Sequence, residues 1–247
     1  MTPPVTDCSA MAEFKWSKQR LPFETHGRDV VLCENIPAAA TAAKALAEAF
    51  DTRVISASSD VRGTLRDAVG KRDRATLERV LHVLGLDDDA LEWRLKDVSP
   101  LRRVLAAAVT AVANADRVLV FELGSFTAMP FDLAHVFRHI HALHVGFGVP
   151  VVVMIVDPAL ISSAGTHLSV LTERGIIESA PVIDALADPQ SEDLLRRLLA
   201  TPVPNPLAMQ QRRVQRAATT TVNYAHTQIV QLPTADSIAL AGGDVSG

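Results

Sequence analysis

With 247 residues, 48% of them hydrophobic and 21% charged, the chain is long enough to bury one substantial core, most simply as a single globular domain. A formal charge of −4 without any basic block argues against a nucleic-acid surface, which needs clustered Lys and Arg to neutralise phosphates. Two cysteines, Cys8 and Cys33, give neither a disulfide framework nor a metal-ligand spacing, and aromatics at 4% leave the core to small and branched aliphatics, which suits a helix-covered parallel sheet.

Residues 1–25 carry Pro3, Pro4 and Pro22 among scattered polar residues, which predicts a tail and irregular lead-in, with Trp16 and Phe23 packed on the domain. The start, MTPPVTDCSAMAEFKW, lacks the basic and apolar regions of a signal peptide. The longest apolar run, Phe147 to Val156, falls well short of the ~20 residues that cross a bilayer. The expected location is therefore cytoplasmic, with no direct membrane insertion and any membrane role exercised through a partner.

Asp29 to Cys33 reads as a short apolar strand. The alanine-rich segment from Glu34 to Phe50 reads as a helix, with Pro37 in the position that a helix start tolerates. Arg53 to Ala57 is a second strand. Leu77, Val80, Leu81 and Leu84 mark an amphipathic helix closed by Gly85, and Asp87, Asp88 and Asp89 after it are expected to be solvated or capping. Leu101, Val104, Leu105, Ala108, Val109 and Val112 recur at helical spacing, with Arg102 and Arg103 in the first turn. Val118 to Phe121 is a continuous apolar run, as in a strand buried on both faces, and Glu122 ends it. Ligands of open parallel sheets sit at that end, so Glu122 is a candidate functional carboxylate; the plainer reading is a strand end meeting water. Leu133, Val136, Phe137, Ile140, Leu143 and His144 make the buried stripe of a further helix. His135 and His139 lie four apart on its other side, without a third metal ligand in view. Val151 to Ile155 is the next buried strand.

These elements resemble the ATP-binding cassette (ABC) ATPases. Strand, turn and helix at Asp29–Phe50 stand where the family has its phosphate loop, and the loop, helix and strand from Asp97 to Glu122 stand where it has its signature and Walker B motifs. The run Glu34, Asn35, then Thr41 and Lys44–Ala47 is similar to GENGAGKST-LLKALA. Leu168 to Glu178, LSVLTERGIIE, resembles the family's two final strands. Ala180 to Pro206 is close to the GPVEEVLADPQ…VPDP tail of the oligopeptide/dipeptide-type importers. The resemblance runs in register from about Asp29 to Pro206. It implies an α/β, P-loop NTPase-like domain over 26–206, with a parallel-rich central sheet flanked by helices and a small helical subdomain at about 60–100, followed by a C-terminal extension at 207–247.

The chemistry implied by the family is mostly replaced. The three phosphate-loop glycines fall on Cys33, Ile36 and Ala38, the lysine on Ala39 and the Mg²⁺ hydroxyl on Ala40. The Walker B Asp falls on Phe121, the signature serine on Val98 and the switch histidine on Val156; no Gln lies between Gln19 and Gln190 to serve the Q-loop. What remains is Glu122 at the catalytic-glutamate position, with Asn35 and Thr41 as nucleotide-binding candidates, and no metal ligand. Loss of the lysine and two or more loop amides removes on the order of 4–8 kcal/mol of phosphate binding. That is roughly 10³ to 10⁶ in affinity.

The expected function is thus a cassette-like subunit with a degenerate site, serving as a non-hydrolysing structural or regulatory partner of an active cassette or a membrane permease. A homodimer is a further possibility. Two alternatives stand beside it. One is a weakly active ATPase subunit of a peptide transporter, with ATP and Mg²⁺ as ligands. The other is a stand-alone interaction protein that no longer binds nucleotide.

Overall fold

Phe14 and Trp16 alternate on one strand and Leu21 and Phe23 on the next, a period-two pattern that forms an antiparallel hairpin of β1 (Met11–Trp16) and β2 (Gln19–Glu24). Part of the predicted irregular lead-in is therefore ordered sheet. Its prolines misled, because a two-stranded ribbon has free edges that tolerate a missing N–H such as that of Pro22. Phe14 and Phe23 meet edge to face at 6.2 Å, and Phe23 meets Phe50 in the same way at 6.4 Å.

The computed structural model describes residues 10–17, 19–58, 63–70, 74–126 and 130–200. The predicted tail before residue 10 and the extension at 207–247 lie outside them. After the hairpin come β3 (Arg28–Cys33), α1 (Ile36–Ala49) and β4 (Val54–Ser56). The helices α2 (Leu65–Val69), α3 (Arg74–Val83) and α4 (Pro100–Ala113) lead into β5 (Leu119–Glu122). The chain continues through α5 (Pro130–Phe147), β6 (Val151–Ile155), α6 (Ile161–Ala164), β7 (His167–Thr172), β8 (Gly175–Pro181), α7 (Val182–Ala187) and α8 (Glu192–Ala200).

The strands order as β4-β5-β6-β3-β7-β8. The first five run parallel, and β8 turns back antiparallel to β7. This is the predicted mixed sheet with a parallel majority. Its two faces read out of the strand sequences by alternation. Val30, Leu32, Leu119, Phe121, Val153 and Ile155 face the layer containing α2 to α5, whereas Val31, Cys33, Val120, Val152 and Met154 face α1 and the hairpin. Covered on both faces, β5 and β6 have no solvated side, which explains their unbroken apolar runs.

Short helices fill the predicted helical region. α2 opens on a capping box in which Thr64 and Asp67 satisfy each other's backbone N–H, and it closes at Gly70, whose φ of 66° favours glycine. Asp87, Asp88 and Asp89 are exposed at the start of a single 3-10 turn, as expected. Among the described residues no helix is long and apolar enough to cross a membrane.

Candidate functional site

The C-terminal ends of β3, β5 and β6 are where a parallel sheet offers its ligand crevice. Only Glu34 and Asn35 separate Cys33 at the end of β3 from the first turn of α1. The Asn35 side chain accepts a hydrogen bond from the Ala38 N–H at 2.9 Å, its carbonyl accepts from the Ala39 N–H at 3.0 Å, and Pro37 has no N–H at all. The amides of Ala38 and Ala39 are thus spent on the helix itself. Thr41 donates its hydroxyl to the Pro37 carbonyl at 2.8 Å. Both predicted nucleotide contacts, Asn35 and Thr41, therefore serve the first turns of α1. They do line an open cleft of about 660 Å³, together with Trp16, Glu34, Thr172 and Arg174. Trp16 is a packing residue, 7% exposed, with its Nε1 donating to the Thr172 carbonyl at 2.7 Å. Lys44, a turn further along α1, is exposed and reaches Glu48 rather than the cleft.

At the centre of the crevice stands Gly124. A methyl group there would lie 2.8 Å from Ala39 Cβ, 2.9 Å from Val156 Cγ2 and 3.2 Å from Glu122 Oε1. The fold thus brings together the three positions where the resemblance puts a lysine, a switch histidine and a catalytic glutamate. They surround the bare backbone of a glycine, where there is no room for a side chain. Ala39 is fully buried. Glu122 is 3% exposed, and Ser125 occupies both of its oxygens: the backbone N–H donates to Oε1 at 2.8 Å and the hydroxyl to Oε2 at 2.5 Å. A carboxylate held this way closes its own loop, with one hydrogen bond accepted at each oxygen. Phe121, at the Walker B Asp position, is buried in the helical layer's core. Burial also pushes the Cys33 thiol up to about 12, which leaves it an inert packing group. The residues present do not fit a Mg²⁺–nucleotide.

One polar residue at this end escaped the sequence reading. Arg197 reaches in from α8, and its Nη2 donates to the carbonyls of Cys33 and, at 3.3 Å, Val156. It thereby ties the ends of β3 and β6. Its Nη1 is buried without a partner among the described residues, as is Asp193 Oδ2 one turn earlier on the same helix. The approach to α8 is anchored by Glu178, which accepts from Gln190 N at 3.1 Å, Ser191 N at 2.9 Å and the Ser191 hydroxyl at 2.6 Å. The signal for Arg197 was its spacing, three residues after the buried Leu194 and hence on the inward face of the helix. His139 is held below the ordinary histidine range by burial first and then by the nearby charges of His135 and Arg138. Among the described residues no group of three or more His, Cys, Asp or Glu side chains is placed to hold a metal.

No family model and no curated protein matches the sequence. Solved structures do match the fold. CbiO1 of Clostridium perfringens, part of the ABC transporter complex CbiONQ, superposes with a TM-score of 0.57 at 10% identity, over 81% of this chain and 96% of that one. A metal-chelate type ABC transporter in an inward-facing conformation superposes with a TM-score of 0.59 at 13% identity, over 78% and 90%. At these identities the likeness establishes the fold, that of an ABC transporter ATPase subunit.

Proposed function

We propose that this chain is a cassette-fold subunit that neither binds nor hydrolyses ATP and acts as a structural or regulatory partner of an active cassette or a membrane permease. The observation that supports the reading is the close packing of Ala39, Val156 and Glu122 around Gly124, at the positions that the resemblance gives to the lysine, the switch histidine and the catalytic glutamate. Phosphoryl transfer relies on positioned cations, Mg²⁺ ligands and an oriented water, and where the resemblance puts the lysine, the Walker B aspartate and the switch histidine stand Ala39, Phe121 and Val156. Arg197, a half-buried cation at this end, is directed at main-chain carbonyls.

The fold supports the partner role, because the similar structures belong to transporter assemblies. The peptide-importer assignment rests on the tail from Ala180 to Pro206 alone and is the finer part of the proposal. Titration of the purified chain against a purified intact cassette or permease encoded beside it, followed by size-exclusion chromatography, tests the role. Co-elution that does not depend on nucleotide supports it. Failure to associate with either contradicts it and leaves a stand-alone protein of cassette fold.

A further inference from the structure

We propose that the β1–β2 hairpin is fastened to β7 by two clasps, and that the clasp formed by His26 and His167 is a proton-operated release. The first clasp is the Trp16 Nε1 donation to the Thr172 carbonyl at 2.7 Å, at the C-terminal end of β7. The second lies at the opposite end. There the imidazoles of His26, just after the hairpin, and His167, the first residue of β7, stack at 3.9 Å between centroids and 9° between planes.

The stack stands on a buried carboxylate. Asp29, with 2% of its side chain exposed, accepts the His26 N–H at 2.8 Å and approaches the His26 Nδ1 at 3.3 Å. It is also the residue paired in register with His167. On the other side, His167 Nε2 meets the Ser179 hydroxyl at 3.0 Å, which meets Ser169 at 3.2 Å. A groove of about 500 Å³ lined by Glu24, His26, His167 and Ser179 admits water and protons to the pair. The other charged or titratable groups nearby are Glu24 at the end of β2, Arg28 beside Asp29 on β3, and His144 of α5, whose ring lies against Gly27.

Two neutral imidazoles, or one neutral and one charged, stack favourably. Two imidazolium rings at this separation repel. Burial, then the charge on His26, holds His167 below the ordinary histidine range, as a partner that resists the second proton should be held. Burial raises Asp29 to about 6, against the pull of His26. As the pH falls, protonation of Asp29 is itself favoured by its burial and steadies the packed site, so release rests on the stacked rings: charging both sets like charges against each other at 3.9 Å. Release would loosen the hairpin that carries Trp16 and Ser17, which form one wall of the cleft beside Asn35 and Thr41.

Hydrogen exchange of the 10–26 segment in the full chain, corrected for the intrinsic pH dependence of exchange, tests the device at about pH 7.5 and about pH 5. We expect protection of this segment to drop about tenfold at the lower pH, and the drop to vanish in His167→Phe, which keeps a stacking ring but cannot charge. Equal protection at both pH values, or an equal drop in the variant, overturns the proposal. Imidazole titration by NMR in the unmodified chain reads the same coupling without a variant. Two histidines titrating in separated, mutually dependent steps support it, and independent curves at the ordinary histidine range contradict it.

Discussion

Glu122 is a buried carboxylate committed to its own loop. Both its oxygens are taken by Ser125. It thus acts as the staple of the loop after β5. Glu122→Ala leaves the Ser125 N–H and hydroxyl without their acceptor in a buried place, so denaturant unfolding is expected to show a loss of about 2–4 kcal/mol. Any nucleotide turnover should stay at background in both proteins; a fall in turnover on substitution would make Glu122 catalytic. Asp29 gives a residue-scale test of pH. Its pKa is raised from 3.8 to about 6 chiefly by burial, so its favourable contribution is fully present below 3.8 and is lost as the pH rises through 6. Between about pH 4 and about pH 7 this amounts to up to ~3 kcal/mol. Asp29→Asn, which cannot ionise, should therefore gain stability relative to the parent as the pH rises over that interval. Parallel stability curves would contradict the assignment.

At the scale of elements, α8 ties the ends of β3 and β6 together through Arg197. Arg197→Met keeps the apolar stem and removes the donations to Cys33 and Val156. It is expected to cost about 1–3 kcal/mol, less if relief of the unpartnered Nη1 offsets the lost bonds. Thermal or denaturant melting reads it, and an unchanged midpoint would mean that the clamp is decorative. The contrast between α4–β5 and the hairpin marks what was legible in the sequence. The heptad-like stripe from Leu101 to Val112 and the run from Val118 to Phe121 announce a helix and a doubly covered strand, because burial on both faces writes itself into consecutive residues. In the hairpin the alternation of Phe14, Trp16, Leu21 and Phe23 was equally present, but Pro22 and the polar residues between obscured it. For Arg197 the spacing from Leu194 gave only the inward face of α8; its partners lie 164 and 41 residues away, and only the docking of α8 brings them together. The same holds for Gly124: its meeting with Ala39 and Val156 is a product of the first turn of α1 and the loops after β5 and β6.

Taken as a whole molecule, the chain has the fold of ABC transporter ATPase subunits, and in the reading proposed here side chains occupy the end of the sheet where those would bind nucleotide. Restoring one family residue should therefore fail. Ala39→Lys inserts a long cation into a position with no exposed surface, against Gly124, Val156 and Glu122. It is expected to destabilise the fold by about 3 kcal/mol or more without creating nucleotide affinity. A stable variant with tight ATP binding would mean that the crevice opens readily. The most direct test of the central claim is calorimetric titration of the unmodified full chain with Mg-ATP, alongside its melting temperature over the same nucleotide series. Because a ligand of the native state must raise stability with concentration, the account predicts neither heat nor shift up to millimolar nucleotide. Saturable micromolar binding, with a melting temperature that climbs as nucleotide is added, would contradict it.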